Sequence, residues 1–127
     1  MNINRLYWSD AAERALSPII TDKTLIPTMR EQVNDGRMEL WLVDGESLAL
    51  LHTNWEFGYI WMSAYVGKDY RQLMRTLIQI ARDNGLSEIR GESPSRVARL
   101  MLSGLGFVHD KFCDCYVLDL EPMECEA

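Results

Sequence analysis

The sequence predicts an α/β protein of the α+β kind, with a single mixed, mostly antiparallel sheet and helices on both faces. Three observations lead there. Asp44-Gly45 stands between two runs rich in alternating apolar residues, a hairpin signal. A long aromatic run, "FGYIWMSAYV", then leads into a strongly amphipathic stretch. Beyond that, strand and helix patterns alternate, as they do in βαβ units.

The elements follow in order. "NINRLYW" predicts a first strand with Ile3, Leu6 and Trp8 apolar. Ser9 is a good helix N-cap, with Asp10 and Glu13 favourable in the first turn of a helix that runs through Leu16. Ser17-Pro18 interrupts it. "TLIPTMREQVNDG" predicts a second helix, opened near Pro27 and closed by Asn34-Asp35-Gly36. "RMELWLV" and "SLALLHT" are the hairpin strands, and Asn54-Trp55-Glu56 is the next turn. The strand Phe57–Val66 is apolar on both faces, so it is expected at the centre of the sheet. Helix Asp69–Asn84 places Tyr70, Leu73, Leu77, Ile80 and Ala81 on one face and ends at Asn84-Gly85. "LSEIRG" is a short strand. "SPSRVARLMLSGLG" is a second amphipathic helix with Val97, Leu100, Met101 and Leu105 inward, stopped by Gly106. "FVHDKF" and "CYVLDL" close the sheet. The order is β-α-α-β-β-β-α-β-α-β-β.

With 127 residues, 47% of them hydrophobic and 25% charged, the chain is expected to form one domain over 1–120 followed by an acidic tail at 121–127. No charged stretch followed by an apolar run stands at the start, and no apolar run approaches the roughly 20 residues of a membrane span. The net charge of −6 argues against nucleic acid as a partner of the whole surface. That charge is uneven. Residues 1–65 carry five basic and nine acidic side chains, residues 66–111 eight basic and five acidic, and residues 112–127 five acidic and none basic. The positive middle segment holds the strand–helix junction around Tyr70-Arg71, where an anionic ligand is plausible; chance is the competing explanation.

The cysteines Cys113, Cys115 and Cys125 are too few and odd in number for a disulfide scaffold. They read as buried thiols in a reducing cytoplasm. Cys113-x-Cys115 on one strand face with His109 nearby also suggests a metal site, but the spacing fits no standard zinc knuckle and lacks a fourth ligand, so no metal is expected.

The element order and "SRVARLMLSGLGF" resemble the GNAT superfamily of acyl-CoA-dependent N-acetyltransferases. Its corresponding helix reads N-x-x-A-x-x-L-Y-x-x-x-G-F, and Ala98, Gly106 and Phe107 match in register, with Met101 at the apolar position. Tyr70-Arg71 resembles the start of the family's Y-R-G-x-G-x-G entry to the main helix. The resemblance covers roughly residues 36–120. It implies acetyl-CoA as cofactor. Val66 would pair with the pantetheine, Gly67 would permit the turn, and Gln72, Leu73, Met74 and Arg75 would offer amides to the pyrophosphate. Arg71 and Arg75, four apart on one helical face with Arg82, would pair with phosphates. An ordinary solvated helix face is the competing reading of that stripe.

The sequence also departs from the family. "QLMRT" replaces the glycine loop, about two residues shorter. Leu102 stands at the position of the tyrosine general acid, and Ser95 replaces the motif's Asn. Glu56 is then the candidate base, with His52 and Tyr65 as weaker candidates, and Tyr116 is the substitute acid. An amine is the implied acceptor. As a second resemblance, the chain is also similar to small phage-encoded proteins with a degenerate GNAT-like fold, among them virion-morphogenesis proteins of short-tailed phages. That resemblance implies a non-catalytic scaffold in a host cytoplasm or virion, with a protein partner or an oligomeric assembly.

Overall fold

The computed structural model describes residues 1–92 and 96–120. The strands are β1 Ile3–Leu6, β2 Glu39–Val43, β3 Ser47–Asn54, β4 Tyr59–Val66, β5 Glu88–Gly91, β6 Val108–Asp110 and β7 Cys115–Asp119. The α-helices are α1 Asp10–Leu16, α2 Ile26–Asn34, α3 Tyr70–Asp83 and α4 Arg96–Gly104. All seven strands join one mixed sheet in the order β1-β2-β3-β4-β5-β7-β6. This is the expected class and element order, with β4 fourth of seven. Ser95, Cys125 and the acidic segment 121–127 lie outside the described residues. No helix among the described residues is long and apolar enough to cross a membrane.

Local chemistry accounts for the boundaries. The Ser9 hydroxyl accepts from the Ala12 amide at 3.1 Å and caps α1. Pro18 follows directly in a short 3-10 turn, Ser17–Ile19. α3 ends as a Schellman motif: Gly85 takes φ 71°, and the Leu86 amide donates to the Ala81 carbonyl at 2.9 Å. In the first hairpin Asp44 and Gly45 both have positive φ, and the Glu46 amide donates to the Val43 carbonyl. The first ladder pair is Val43 with Ser47, so Glu46 is one residue more than a two-residue loop. β4 begins at Tyr59, two residues later than expected, because Phe57 and Gly58 belong to the turn.

The chain packs as two compact units. The first comprises Met1–His52 and Met62–Leu73. Its core is Leu16, Ile26, Val33, Met38, Leu40, Leu48, Leu50 and Ala64 with their neighbours. Ser47 to Leu51 are all buried, so β3 is covered on both faces over that stretch. The link from β4 to α3 is only Gly67, Lys68 and Asp69. Gly67 adopts φ 137°, and a Cβ there would stand 2.1 Å from Ser47 Oγ and 2.9 Å from Ser47 Cα. The same hydroxyl accepts from the Lys68 amide at 3.2 Å. Across the unit, Glu13 accepts from Arg30 at 2.7 Å and from the Trp8 indole at 3.0 Å, and these bonds hold its carboxyl below the usual range.

The second unit comprises Thr53–Trp61 and the chain from Met74 on. Gly58 O accepts from the Ser87 and Glu88 amides, which joins the β3–β4 turn to the start of β5. Met74, Leu77, Ala81, Ile89, Leu102, Phe107, Cys115 and Leu118 are buried. α4 presents a different face from the one expected. Val97 is 76% and Leu100 65% exposed, whereas Leu102 is 2% exposed. Gly106 stops the helix as expected, with φ 100°, and the Phe107 amide reaches back to the Leu102 carbonyl at 3.0 Å. That return brings Leu102 and Phe107 inward together.

Two predictions follow from this packing, both read from urea denaturation midpoints. Leu102→Ala loses about 2–5 kcal/mol, whereas Val97→Ser and Leu100→Ser each stay within about 0.5 kcal/mol of the parent; equal losses at all three would restore the face expected from the sequence. Gly67→Ala costs about 2–4 kcal/mol through backbone strain and overpacking. Adding Ser47→Gly recovers part of that loss, and strict additivity of the two changes would contradict the contact.

Candidate cofactor site at the β4–α3 junction

The strand's last residues, the link and the first turn of α3 form one braced corner. Tyr65 and Tyr70 stack with ring centroids 5.0 Å apart. The Tyr65 hydroxyl donates to the Lys68 carbonyl, so its proton is committed to the link. Tyr70 is pushed up to about 12, first by burial and then by the neighbouring Tyr65. Asp69, at φ 58°, gives its carbonyl to the Leu73 amide at 3.0 Å, which starts the helical ladder.

The expected cofactor residues divide into three groups here. The Val66 side chain packs on the core of the first unit. Leu73 and Met74 are fully buried, and the Leu73 amide already has an acceptor, as the helix geometry also dictates for Met74 and Arg75 beyond it. The N–H groups of Tyr70 and Arg71 precede that first ladder bond and have no acceptor within the helix. Arg71, Gln72 and Arg75 have exposed side chains. Among the described residues neither Arg71 nor Arg75 has a carboxylate within ion-pair distance, whereas Arg5, Arg30, Arg37 and Arg90 each do.

A pyrophosphate can be met by glycine backbone or by cationic side chains. Gly67 is the junction's only glycine, and the space a Cβ would take there belongs to Ser47 rather than to a ligand. For the side-chain route the chain offers Arg71 and Arg75, two exposed residues four apart at the start of α3.

The acid–base candidates are spread out. Glu56 is exposed in the turn before β4. Tyr116 pairs with Gly91, whereas Gly58 beside Glu56 meets Ser87 and Glu88, so Glu56 and Tyr116 flank opposite ends of β5. Tyr116 is half-buried with its ring 5.3 Å from that of His109. His52 is half-buried on β3, and burial lowers its pKa. Leu102 fills its place in α4 as a buried apolar side chain.

The cysteines depart from expectation. Cys113 lies in the β6–β7 turn, exposed, and is disulfide-bonded to the buried Cys115, so the two are not buried thiols on one strand face. Among the described residues no three His, Cys, Asp or Glu side chains are grouped to hold a metal ion. Two features had no sequence signal: the Ser47 contact, which joins residues twenty-one apart, and the His109–Asp114 pair at 2.8 Å.

No protein-family model matches the sequence, and no curated protein matches it. Solved structures do. Tetrahymena GCN5 superposes with a TM-score of 0.67 at 9% identity, over 96% of this chain and 98% of that one. A GNAT-family acetyltransferase from Staphylococcus aureus gives 0.65 at 15% identity, over 94% and 100%. A Bacillus subtilis acetyltransferase solved in complex with CoA gives 0.64 at 16% identity, over 96% and 99%. At these identities the likeness concerns the backbone path, and on that ground the chain has the fold of the GNAT acetyltransferases.

Proposed function

We propose that this chain is an acetyl-CoA-dependent, N-acetyltransferase-like protein that holds the cofactor phosphates on the guanidinium groups of Arg71 and Arg75 and passes the acyl group to an amine. The observation that carries this reading is the pair of exposed arginines at the start of α3 in a GNAT fold, neither of which has a carboxylate within ion-pair distance among the described residues. The CoA complex of the Bacillus subtilis protein of the same fold supports the ligand class. Arginine forks form charge-assisted, often bidentate bonds to phosphate, and the helix start adds a favourable dipole. The bound cofactor would supply a thioester carbon open to amine attack. Of the chain's own groups, Tyr116 Oη is the proton holder this reading assigns to the leaving side, and Glu56, exposed in the turn before β4, is the base it assigns to the amine.

Two observations favour a second reading, a GNAT-fold scaffold without turnover. Leu102 offers no proton where the family has tyrosine. The Asp69 carboxylate stands at the same helix start that a pyrophosphate would use, and it opposes an anion there.

Ligand titration separates the two readings. Acetyl-CoA at about 100 times its Kd should add roughly 2.7 kcal/mol of stability and raise the Tm by several degrees; no shift at millimolar ligand sinks the cofactor reading. Arg71→Ala with Arg75→Ala should weaken binding at least about tenfold, since a hydrogen bond to a charged group contributes roughly 1.5–3 kcal/mol. Tyr116→Phe should slow transfer to an amine by about 10²–10⁴ with Kd unchanged. Binding without any transfer across a panel of amines would leave the scaffold reading.

A further inference from the structure

We propose that the Cys113–Cys115 bridge is a reversible thiol-exchange site, opened by attack of a low-molecular-weight thiolate on the Cys113 sulfur. The two sulfurs are presented very differently. Cys113 is exposed at the β6–β7 turn beside Phe112, which is itself fully exposed, whereas Cys115 is 0% exposed within β7, opposite Asp110. Exchange requires an unobstructed approach to the attacked sulfur, so only Cys113 can accept it. The bridge also closes over a single residue, Asp114. So small a loop removes less chain entropy than any wider one, and the bond therefore holds the turn rather than the fold. The turn has its own support: the Phe112 amide donates to Asp110 Oδ1 at 2.9 Å, and His109 Nε2 lies 2.8 Å from Asp114 Oδ1.

The chemistry balances with two equivalents of thiol. A thiolate attacks Cys113 Sγ, and a new S–S bond forms there as the bond to Cys115 breaks. The electron pair leaves on Cys115 Sγ, which takes a proton from solvent. A second thiolate attacks the outer sulfur of the mixed disulfide and departs as the small-molecule disulfide, and Cys113 is left reduced. Two electrons pass from the thiols to the bridge. Opening removes the covalent link across Asp114, which adopts φ 52° within the bridge.

The test uses the full chain in a Cys125→Ser background, so that Cys113 and Cys115 are the only thiols. Folded protein is incubated with glutathione, reduced or oxidised, trapped with N-ethylmaleimide, and read by intact mass and peptide mapping. In oxidised glutathione the parent should carry the internal bridge and no trapped thiol; in excess reduced glutathione it should carry two, with unchanged far-UV circular dichroism. Adding Cys115→Ser should leave one stable glutathione on Cys113. Adding Cys113→Ser should leave Cys115 unmodified until urea unfolds the chain. Equal native modification of Cys115 and Cys113, two trapped thiols persisting in oxidised glutathione, or unfolding on reduction would each overturn the proposal.

Discussion

The close approach of Gly67 to Ser47 governs how this chain turns from its central strand into its main helix. A side chain at 67 has no room, and φ 137° is a conformation that L residues rarely adopt, so the position is closed to every residue but glycine. The contact fixes the direction in which the chain leaves β4. The Lys68 amide on Ser47, the Tyr65 hydroxyl on the Lys68 carbonyl and the Tyr65–Tyr70 stack then hold a link of three residues in one shape. The start of α3 inherits its position from that corner, and so do the two arginines on its outer face.

Under the proposed reading, such a corner favours one mode of anion recognition over another. Backbone cradling of a pyrophosphate needs residues without Cβ atoms where the ligand comes close. Here the single glycine of the link is consumed by an internal contact, and the first turn of α3 carries Arg71, Gln72, Leu73 and Met74 instead. Leu73 and Met74 face the interior, which leaves the solvent side to Arg71, Gln72 and Arg75. Recognition by exposed guanidinium groups is more sensitive to ionic strength than recognition by buried amides, because mobile ions screen exposed charges. It also tolerates variation in the ligand's path, since an arginine side chain adjusts where a backbone amide does not.

Much of this architecture was legible in the sequence because local rules and global packing agreed. Ser9, Asn84-Gly85 and Asp44-Gly45 are signals whose chemistry is complete within a few residues, and each stands at the boundary expected of it. α4 was misread for a physical reason. Val97, Ala98, Leu100, Met101 and Leu102 surround a helix of nine residues, so two faces are almost equally apolar and periodicity does not choose between them. The choice is made after the helix, where Gly106 reverses the chain and Phe107 follows Leu102 inward. The cysteine pair was misread because alternation along a strand was assumed at 113–115. Asp114 at φ 52° breaks that alternation and turns Cys113 back toward Cys115. The candidate site was legible only as a list of residue types. Ser47 and the positions of Glu56 and Tyr116 at opposite ends of β5 depend on pairings between strands, and a single sequence does not encode those locally.

β7 draws two of these threads together. Cys115 and Tyr116 are adjacent, so their side chains leave the strand on opposite faces. On Tyr116's face the directly paired residues are Gly91 of β5, which brings no side chain, and His109 of β6, whose ring lies 5.3 Å from the tyrosine. The histidine's own Nε2 lies 2.8 Å from Asp114 Oδ1. Asp114 is the residue enclosed by the disulfide. Two contacts, Asp114 to His109 and His109 to Tyr116, thus link the bridged turn to the Tyr116 ring. The covalent constraint therefore runs from the exposed turn at Cys113 to the first paired residue of β7, Cys115, and closes the hairpin's end rather than tying distant parts of the chain.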